Sequence, residues 1–263
     1  MDLHQIDQFA KDIIYEAGKR IRNSFSYYLV VETKSDPNDL VTNIDRETEL
    51  FFIEKIKASF PQHKILGEEG MGEDVKSLEG PVWIIDPIDG TMNFVKQHRH
   101  FMITIGFFVD GVGKLGYIFD VMREDLFHAI EGQGAWYNDS PLRQLQPVPL
   151  EEAVIGINAT WVTPNRLVNH EKMTELVHTI RGTRSYGSAA MEIAYVVSGK
   201  LDAYISMRLA PWDIGGGTII AKEVGAITTN LKGEDCNLLS KDTFIIANPS
   251  IHHRILNEYI EEK

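Results

Sequence analysis

One cysteine, Cys236, stands in 263 residues. A single thiol cannot form an internal disulfide, so the chain is expected in a reducing, cytoplasmic setting. Cys236 sits in the polar stretch Gly233-Glu234-Asp235-Cys236-Asn237 with no base close in sequence, which argues against a nucleophilic thiol. Basic residues are also scarce: 26 against 38 acids, a net charge of −12. That balance argues against general nucleic-acid binding, which needs a basic surface. It does not exclude an anionic substrate, because carboxylates gathered around a divalent cation invert their local charge. No apolar run approaches the roughly 20 residues needed to span a membrane. The first 25 residues lack an uninterrupted apolar core and carry Asp2, Asp7 and Asp12, so no secretory signal is expected there.

Several catalytic signatures are missing too. There is no His-Glu-x-x-His, no Walker lysine motif and no Gly-x-Gly-x-x-Gly after a strand. Ser185 and Ser188 lack the Gly-x-Ser-x-Gly setting of a nucleophile elbow. His98-Arg99-His100 reads as a polar loop rather than a zinc site.

What is present is ordinary globular material, 43% apolar and 24% charged, enough for a sizeable core. Leu3, Ile6, Phe9, Ile13, Ala17, Ile21 and Phe25 recur at helical spacing. Lys34 to Asp39 is a loop by composition. A second helix is predicted from about Asn43 to Phe60, with Thr42 as N-cap and Leu50, Ile53, Ile56 and Phe60 inside. Asp45 then falls in its first turn, a dipole-favourable place for an acid. Lys64-Ile65-Leu66 is a short strand, followed by the acidic turn Gly67-Glu68-Glu69-Gly70.

Val82 to Ile85 suits a buried strand that should stop at Asp86-Pro87, since proline removes a backbone donor. Asp89-Gly90-Thr91 then turns the chain. Phe101–Val109, Leu115–Val121, Leu126–Glu131 and Gly134–Tyr137 read as an antiparallel meander, expected to carry helices on one face. A boundary is expected near Gln146-Pro147-Val148-Pro149, dividing an α+β half (1–146) from an α/β half (147–263). In the second half, helices are predicted over 165–180, over 188–198, from Asp213 through Val224, and from Pro249. Strands are predicted over 154–158, 201–206, 226–229 and 243–247.

Asp-Pro-x-Asp-Gly is by itself a common turn. Here it follows a buried strand, precedes donors at Thr91 and Asn93, and has acidic counterparts at Glu68-Glu69 and Trp212-Asp213. Asp213 reads as a helix N-cap. The three glycines after Ile214 each cost roughly 1 kcal/mol relative to alanine in a helix, and close helix packing accounts for them. An all-oxygen set of this kind suits Mg²⁺ or Mn²⁺ rather than zinc.

Gly67-Glu68-Glu69, the run Trp83-Ile-Ile-Asp-Pro-Ile-Asp-Gly-Thr-Met-Asn-Phe94 and Trp212-Asp213-Ile-Gly-Gly-Gly217 resemble the inositol monophosphatase family of Mg²⁺-dependent, lithium-sensitive phosphatases. The order and spacing match from Asp39-Leu40-Val41-Thr42 almost to the C-terminus. The resemblance implies an α/β (mixed α+β) fold, a layered α-β-α-β-α sandwich like that of fructose-1,6-bisphosphatase, assembled as a homodimer. It implies two to three Mg²⁺ ions. Glu68, Asp86 and the carbonyl of Ile88 would hold one; Asp86, Asp89 and Asp213 a second; Glu68, directly or through water, a third. Glu69 is counted among the converging acids. Gly90 and Thr91 would offer backbone donors to the substrate phosphate. Thr91, its hydroxyl linked to Asp45, would with Glu68 activate the attacking water for in-line hydrolysis.

For the substrate's alcohol the resemblance implies contacts from Asp89, Asp213, Ser188 and Ala189. A glutamate that the family uses for the inositol hydroxyls is Ser206 here, which opens space. Arg208 could meet an additional phosphate. The expected activity is inositol-1-monophosphatase with a broadened range of small phosphorylated metabolites. The alternatives are NADP 2′-phosphatase, fructose-1,6-bisphosphatase and 3′-phosphoadenosine-5′-phosphate phosphatase. A non-catalytic Mg²⁺- and anion-binding regulatory module is the reading from another class.

Overall fold

The computed structural model describes residues 2–26, 29–33 and 40–263. The loop expected over 34–39 lies outside the described residues. The chain opens with α1 (Leu3–Ser24), capped by the Asp2 carboxylate, which accepts from the His4 and Gln5 N–H groups. Its buried stripe, Ile6, Ala10, Ile13, Ile14, Ala17 and Ile21, follows the helical period. A short ribbon of β1 (Val31–Thr33) and β2 (Leu40–Thr42) leads into α2 (Asn43–Ser59). Thr42 caps α2 in a reciprocal box with Asp45. The buried face of α2 is Ile44, Phe51, Phe52 and Ile56, whereas Leu50, expected inside, is 39% exposed. Phe51 and Phe52 bury more apolar surface than one leucine, and they set the rotation of the helix.

A seven-stranded sheet follows: β3 (Lys64–Gly67), β4 (Pro81–Asp89), β5 (Met102–Val109), β6 (Val112–Asp120), β7 (Asp125–Ile130), β8 (Gly134–Tyr137) and β9 (Ser140–Pro141) in spatial order. Only β3 and β4 pair parallel; the other pairs are antiparallel. The short helix α3 (Thr91–Gln97) connects β4 to β5. β4 does not stop at Asp86-Pro87 as expected but runs on to Asp89 through a register shift. Proline is tolerated there because the irregularity asks no ladder bond of residue 87.

The rest of the chain supplies a five-stranded sheet in the order β11 (Gly182–Arg184), β10 (Val154–Ile157), β12 (Ala203–Leu209), β14 (Asp242–Ala247) and β13 (Ile227–Thr229). Its helices are α4 (His170–Thr179), α5 (Ala189–Val197), α6 (Pro211–Glu223) and α7 (Pro249–Tyr259). α4 starts later than the predicted residue 165, because the Asn165 side chain accepts the Leu167 and Val168 N–H groups and holds a turn.

Three hydrophobic cores define the layers. The first packs α1 and α2 on one face of the large sheet. The second joins its other face to α5, α6 and the small sheet. The third sets α4 and α7 on the far face of the small sheet. The result is an α-β-α-β-α sandwich. The meander therefore carries helices on both faces, not one, because its strands are apolar on both sides: Ile105, Phe107 and Phe119 are buried in the first core and Phe108, Ile118 and Phe127 in the second.

α6 lies nearly in backbone contact with the large sheet. A Cβ on Gly216 would stand 2.6 Å from the Tyr117 carbonyl oxygen and 2.7 Å from that of Ile105. A Cβ on Gly217 would stand 2.6 Å from the Ile193 side chain. The glycines let α6 approach, and α6 carries Asp213. Gly216→Ala is expected to destabilise the fold by about 1–3 kcal/mol through overpacking, read as a lower urea midpoint at unchanged slope; an unaltered midpoint would show that the helix seat is looser than described.

Candidate active site

The site begins with the irregularity in β4. Asp86 pairs with Thr104 and Asp89 with Met102, so three steps on β4 face two on β5. In a regular strand residues three apart point to opposite faces. The extra residue cancels that alternation and puts both aspartates on one side. The Asp86 carboxylate accepts the Ile88 N–H at 2.9 Å, which ties the bulge.

Gly90 follows with φ 95°, ψ 43°, as the N-cap of α3. A Cβ there would meet Ser188 Cβ at 3.1 Å and the Gly187 carbonyl oxygen at 3.2 Å, so both backbone and space require glycine. Thr91 starts α3, with its first-turn N–H groups free of helical acceptors. Its hydroxyl lies 3.2 Å from Asp45 Oδ1 and 3.2 Å from the Ile88 carbonyl oxygen. Asp45 is wholly buried behind it and accepts the Thr42 N–H at 2.9 Å and the Thr42 hydroxyl through its other oxygen.

Asp89 is held from the second half of the chain. It accepts from the Ser188 hydroxyl, from the Ala190 N–H at 2.8 Å and from the Ala189 N–H at 3.3 Å. Ser188 and Ala189, expected to touch substrate, therefore spend these donors on Asp89. Asp213 is the third residue of α6 rather than its N-cap, which is Ala210; its carboxylate accepts the Ala210 N–H at 2.7 Å. Pro211 begins the helix, which moves the cap back to Ala210.

Asp86, Asp89 and Asp213 each bring an oxygen to one place, all within 4.8 Å of one another. Burial raises Asp86 well above the usual carboxylate range, and the Glu68, Asp89 and Asp213 charges push the same way. Burial lifts Asp89 to about 6, against bonds from Ser188 and Ala190 that favour its charge. Asp213 is raised by burial and by Asp89. Asp45 is pushed to about 6 by burial, opposed by its Thr42 bonds. Oxygen donors crowded and desolvated in this way fit a hard divalent cation, whose charge would offset their repulsion.

Two chambers adjoin the cluster. A small one of about 220 Å³ is lined by Glu68, Asp86, Ile88, Asp89, Gly90, Thr91 and Asp213. A larger one of about 570 Å³ is lined by Ser188, Ala189, Ser206, Arg208 and residues of the second half. Asp89, Gly187 and Asp213 belong to both walls. Glu69 lines neither chamber. The large chamber is also lined by residues that sequence reasoning missed, among them Asn158, Trp161, Glu192 and Lys241. Glu192 accepts the Tyr186 N–H at 2.7 Å through one oxygen, its other oxygen is buried without a partner, and burial lifts it to about 7. Nothing local marks these residues; Asn158, Trp161 and Lys241 meet because β10 and β14 flank β12 in the sheet, and α5, packed on β12, brings Glu192. No helix among the described residues is long and apolar enough to cross a membrane.

The profile of the inositol monophosphatase family matches residues 2–263. An inositol-1-monophosphatase of Bacillus subtilis is 53% identical over 259 residues, covering 98% of both chains. A fructose-1,6-bisphosphatase/inositol-1-monophosphatase of Thermotoga maritima is 38% identical, covering 88% of both. A staphylococcal inositol monophosphatase II solved with 2′AMP bound superposes with a TM-score of 0.90 at 40% identity, over 97% of this chain and 94% of that one. A match of this length, on a sandwich whose acids converge as described, leaves one assignment: the chain belongs to the inositol monophosphatase family of phosphatases.

Proposed function

We propose that the chain hydrolyses phosphate monoesters of small alcohols with the help of Mg²⁺, inositol 1-phosphate foremost, and accepts bulkier substrates as well. The observation that carries this reading is the pair of chambers with a common carboxylate wall. The small chamber suits a phosphate beside cations, and the large one suits the alcohol that leaves. Glu68, Asp86, the Ile88 carbonyl, Asp89 and Asp213 would hold the cations. When bound, Mg²⁺ supplies Lewis acidity to the phosphate oxygens and acidifies water. Glu69 stays a candidate only for a peripheral ion.

The chain's own groups divide the remaining work. The N–H groups at the start of α3, beginning with Thr91, face the phosphate. The Thr91 hydroxyl, held between Asp45 and the Ile88 carbonyl, orients the attacking water. Its partner Asp45 is anchored by Thr42 and cannot swing away. Ser206 replaces a longer acid and leaves room in the large chamber, where Arg208 and Lys241 add positive charge and Trp161 adds a flat apolar surface. A second phosphate or a base finds partners there, which supports a range including 2′-phosphorylated nucleotides and sugar bisphosphates. Mn²⁺ as a substitute, lithium sensitivity, a homodimer and a cytoplasmic setting belong to the same family reading. A regulatory module without catalysis is the competing class, and Mg²⁺-dependent phosphate release separates the two.

Asp86→Asn is expected to lower turnover about a hundredfold or more with an unchanged far-ultraviolet dichroism spectrum; near-wild-type Mg²⁺-dependent rates would refute the assignment. In a panel of inositol 1-phosphate, 2′-AMP, NADP and fructose 1,6-bisphosphate, more than one should be hydrolysed. Arg208→Ala should raise KM for the bisphosphate and nucleotides more than for inositol 1-phosphate, and equal effects on all four would remove Arg208 from recognition.

Protonation gives a further test. Asp45 and Asp89 have folded values near 6, above an unfolded carboxylate at about 4. The chelated protein thus holds protons that its unfolded chain has lost. Their contribution is complete below about pH 4 and falls as pH rises through 6, by at most about 1.4 kcal/mol per pH unit per group. Added Mg²⁺ should therefore raise the melting temperature more at pH 7.5 than at pH 5; a larger rise at pH 5 would contradict the charge balance drawn for the site.

A further inference from the structure

α2 carries two wholly buried acids one turn apart, Asp45 and Glu49. Asp45 serves Thr91, on the phosphate side. Glu49 faces the other side of the site. Its Oε2 accepts the Glu69 N–H at 2.7 Å and its Oε1 accepts the Met71 N–H at 2.8 Å. The carboxylate thereby spans the turn that follows β3. The chain makes room for it: a Cβ on Gly67 would stand 2.5 Å from Glu49 Cδ and 2.6 Å from each of its oxygens. Glu68 lies between these supports. Its own N–H donates to the Ile85 carbonyl at 3.3 Å, next to Asp86, and the following N–H is held by Glu49.

We propose that Glu49 is a positioning residue whose carboxylate locks the 67–71 turn, aims Glu68 toward Asp86, and so sets how tightly the site binds a divalent cation. The inference rests on the metal reading of the preceding section. A carboxylate is required, not merely a polar side chain. Two N–H donors need two acceptor oxygens, and an amide offers one while setting its own N–H groups against the other donor. Asp45 and Glu49 together make α2 the element that orients both halves of the small chamber, although neither residue lines it.

The test is direct Mn²⁺ binding to chelator-stripped full-length protein, followed by electron paramagnetic resonance of the free ion. Glu49→Gln should weaken Mn²⁺ binding about tenfold or more, as loss of a partner behind a metal ligand does. The Mg²⁺ needed for half-maximal rate should rise in parallel, with kcat at saturating Mg²⁺ and KM for inositol 1-phosphate changed less than threefold. Ile56→Val, a buried change further along the same helix, should lower stability and leave the Mn²⁺ affinity intact. If Glu49→Gln fails to fold, Gly67→Ala, which pushes the carboxylate off the turn with both acids retained, gives the same loss of affinity. Unchanged Mn²⁺ binding in the folded variant overturns the proposal, as does an equal loss in Ile56→Val. Wild-type protein that binds no Mn²⁺ overturns the metal reading itself.

Discussion

Two aspartates of one strand and a third from a helix far along the chain place oxygens within 4.8 Å of one another in a desolvated site. At that spacing and an effective dielectric constant of about 20, each charged pair repels by on the order of 3 kcal/mol. No local preference would assemble such a cluster. It exists because β4, α5 and α6 are packed for other reasons, and the packing holds the acids where their charges oppose it. The metal-free protein relieves the strain by keeping protons, and a divalent cation would relieve it by charge.

Each acid is secured by a different backbone device. Asp86 and Asp89 share a face because one extra residue interrupts the alternation of β4. Asp89 is then bound by donors at the start of α5. Asp213 is brought forward by α6, whose glycines allow backbone contact with the large sheet. Behind these, α2 contributes Asp45 and Glu49, which hold Thr91 and the Glu68 turn. The small chamber thus stands on a packed frame, while the large chamber is lined largely by residues of the second half of the chain.

Much of this was readable in advance. The helical stripe from Leu3 to Ser24, the Thr42 cap, the meander and the helix after Ser188 follow from period and capping. Rules confined to a few neighbours gave way where long-range packing decided. Leu50 faces solvent because Phe51 and Phe52 claim the core. Pro87 did not end its strand because β4 itself takes up the proline in a bulge. The cap of α6 moved from Asp213 to Ala210, and Asp213, third in the helix, accepts the Ala210 N–H while lining both chambers.

By itself the sequence determined the chemical inventory: which acids stand beside glycine, proline and threonine, the oxygen-only character of the candidate ligands, and membership of a family through motifs spread along the chain. Tertiary structure alone decided which of those groups meet. A bulge set the common face of Asp86 and Asp89, helix packing delivered Asp213 and Glu192, and strand order gathered Trp161, Arg208 and Lys241 around one cavity. The reason is physical. Side-chain type and local period are short-range properties, whereas the distance between residues a hundred positions apart is fixed only when the layers between them close.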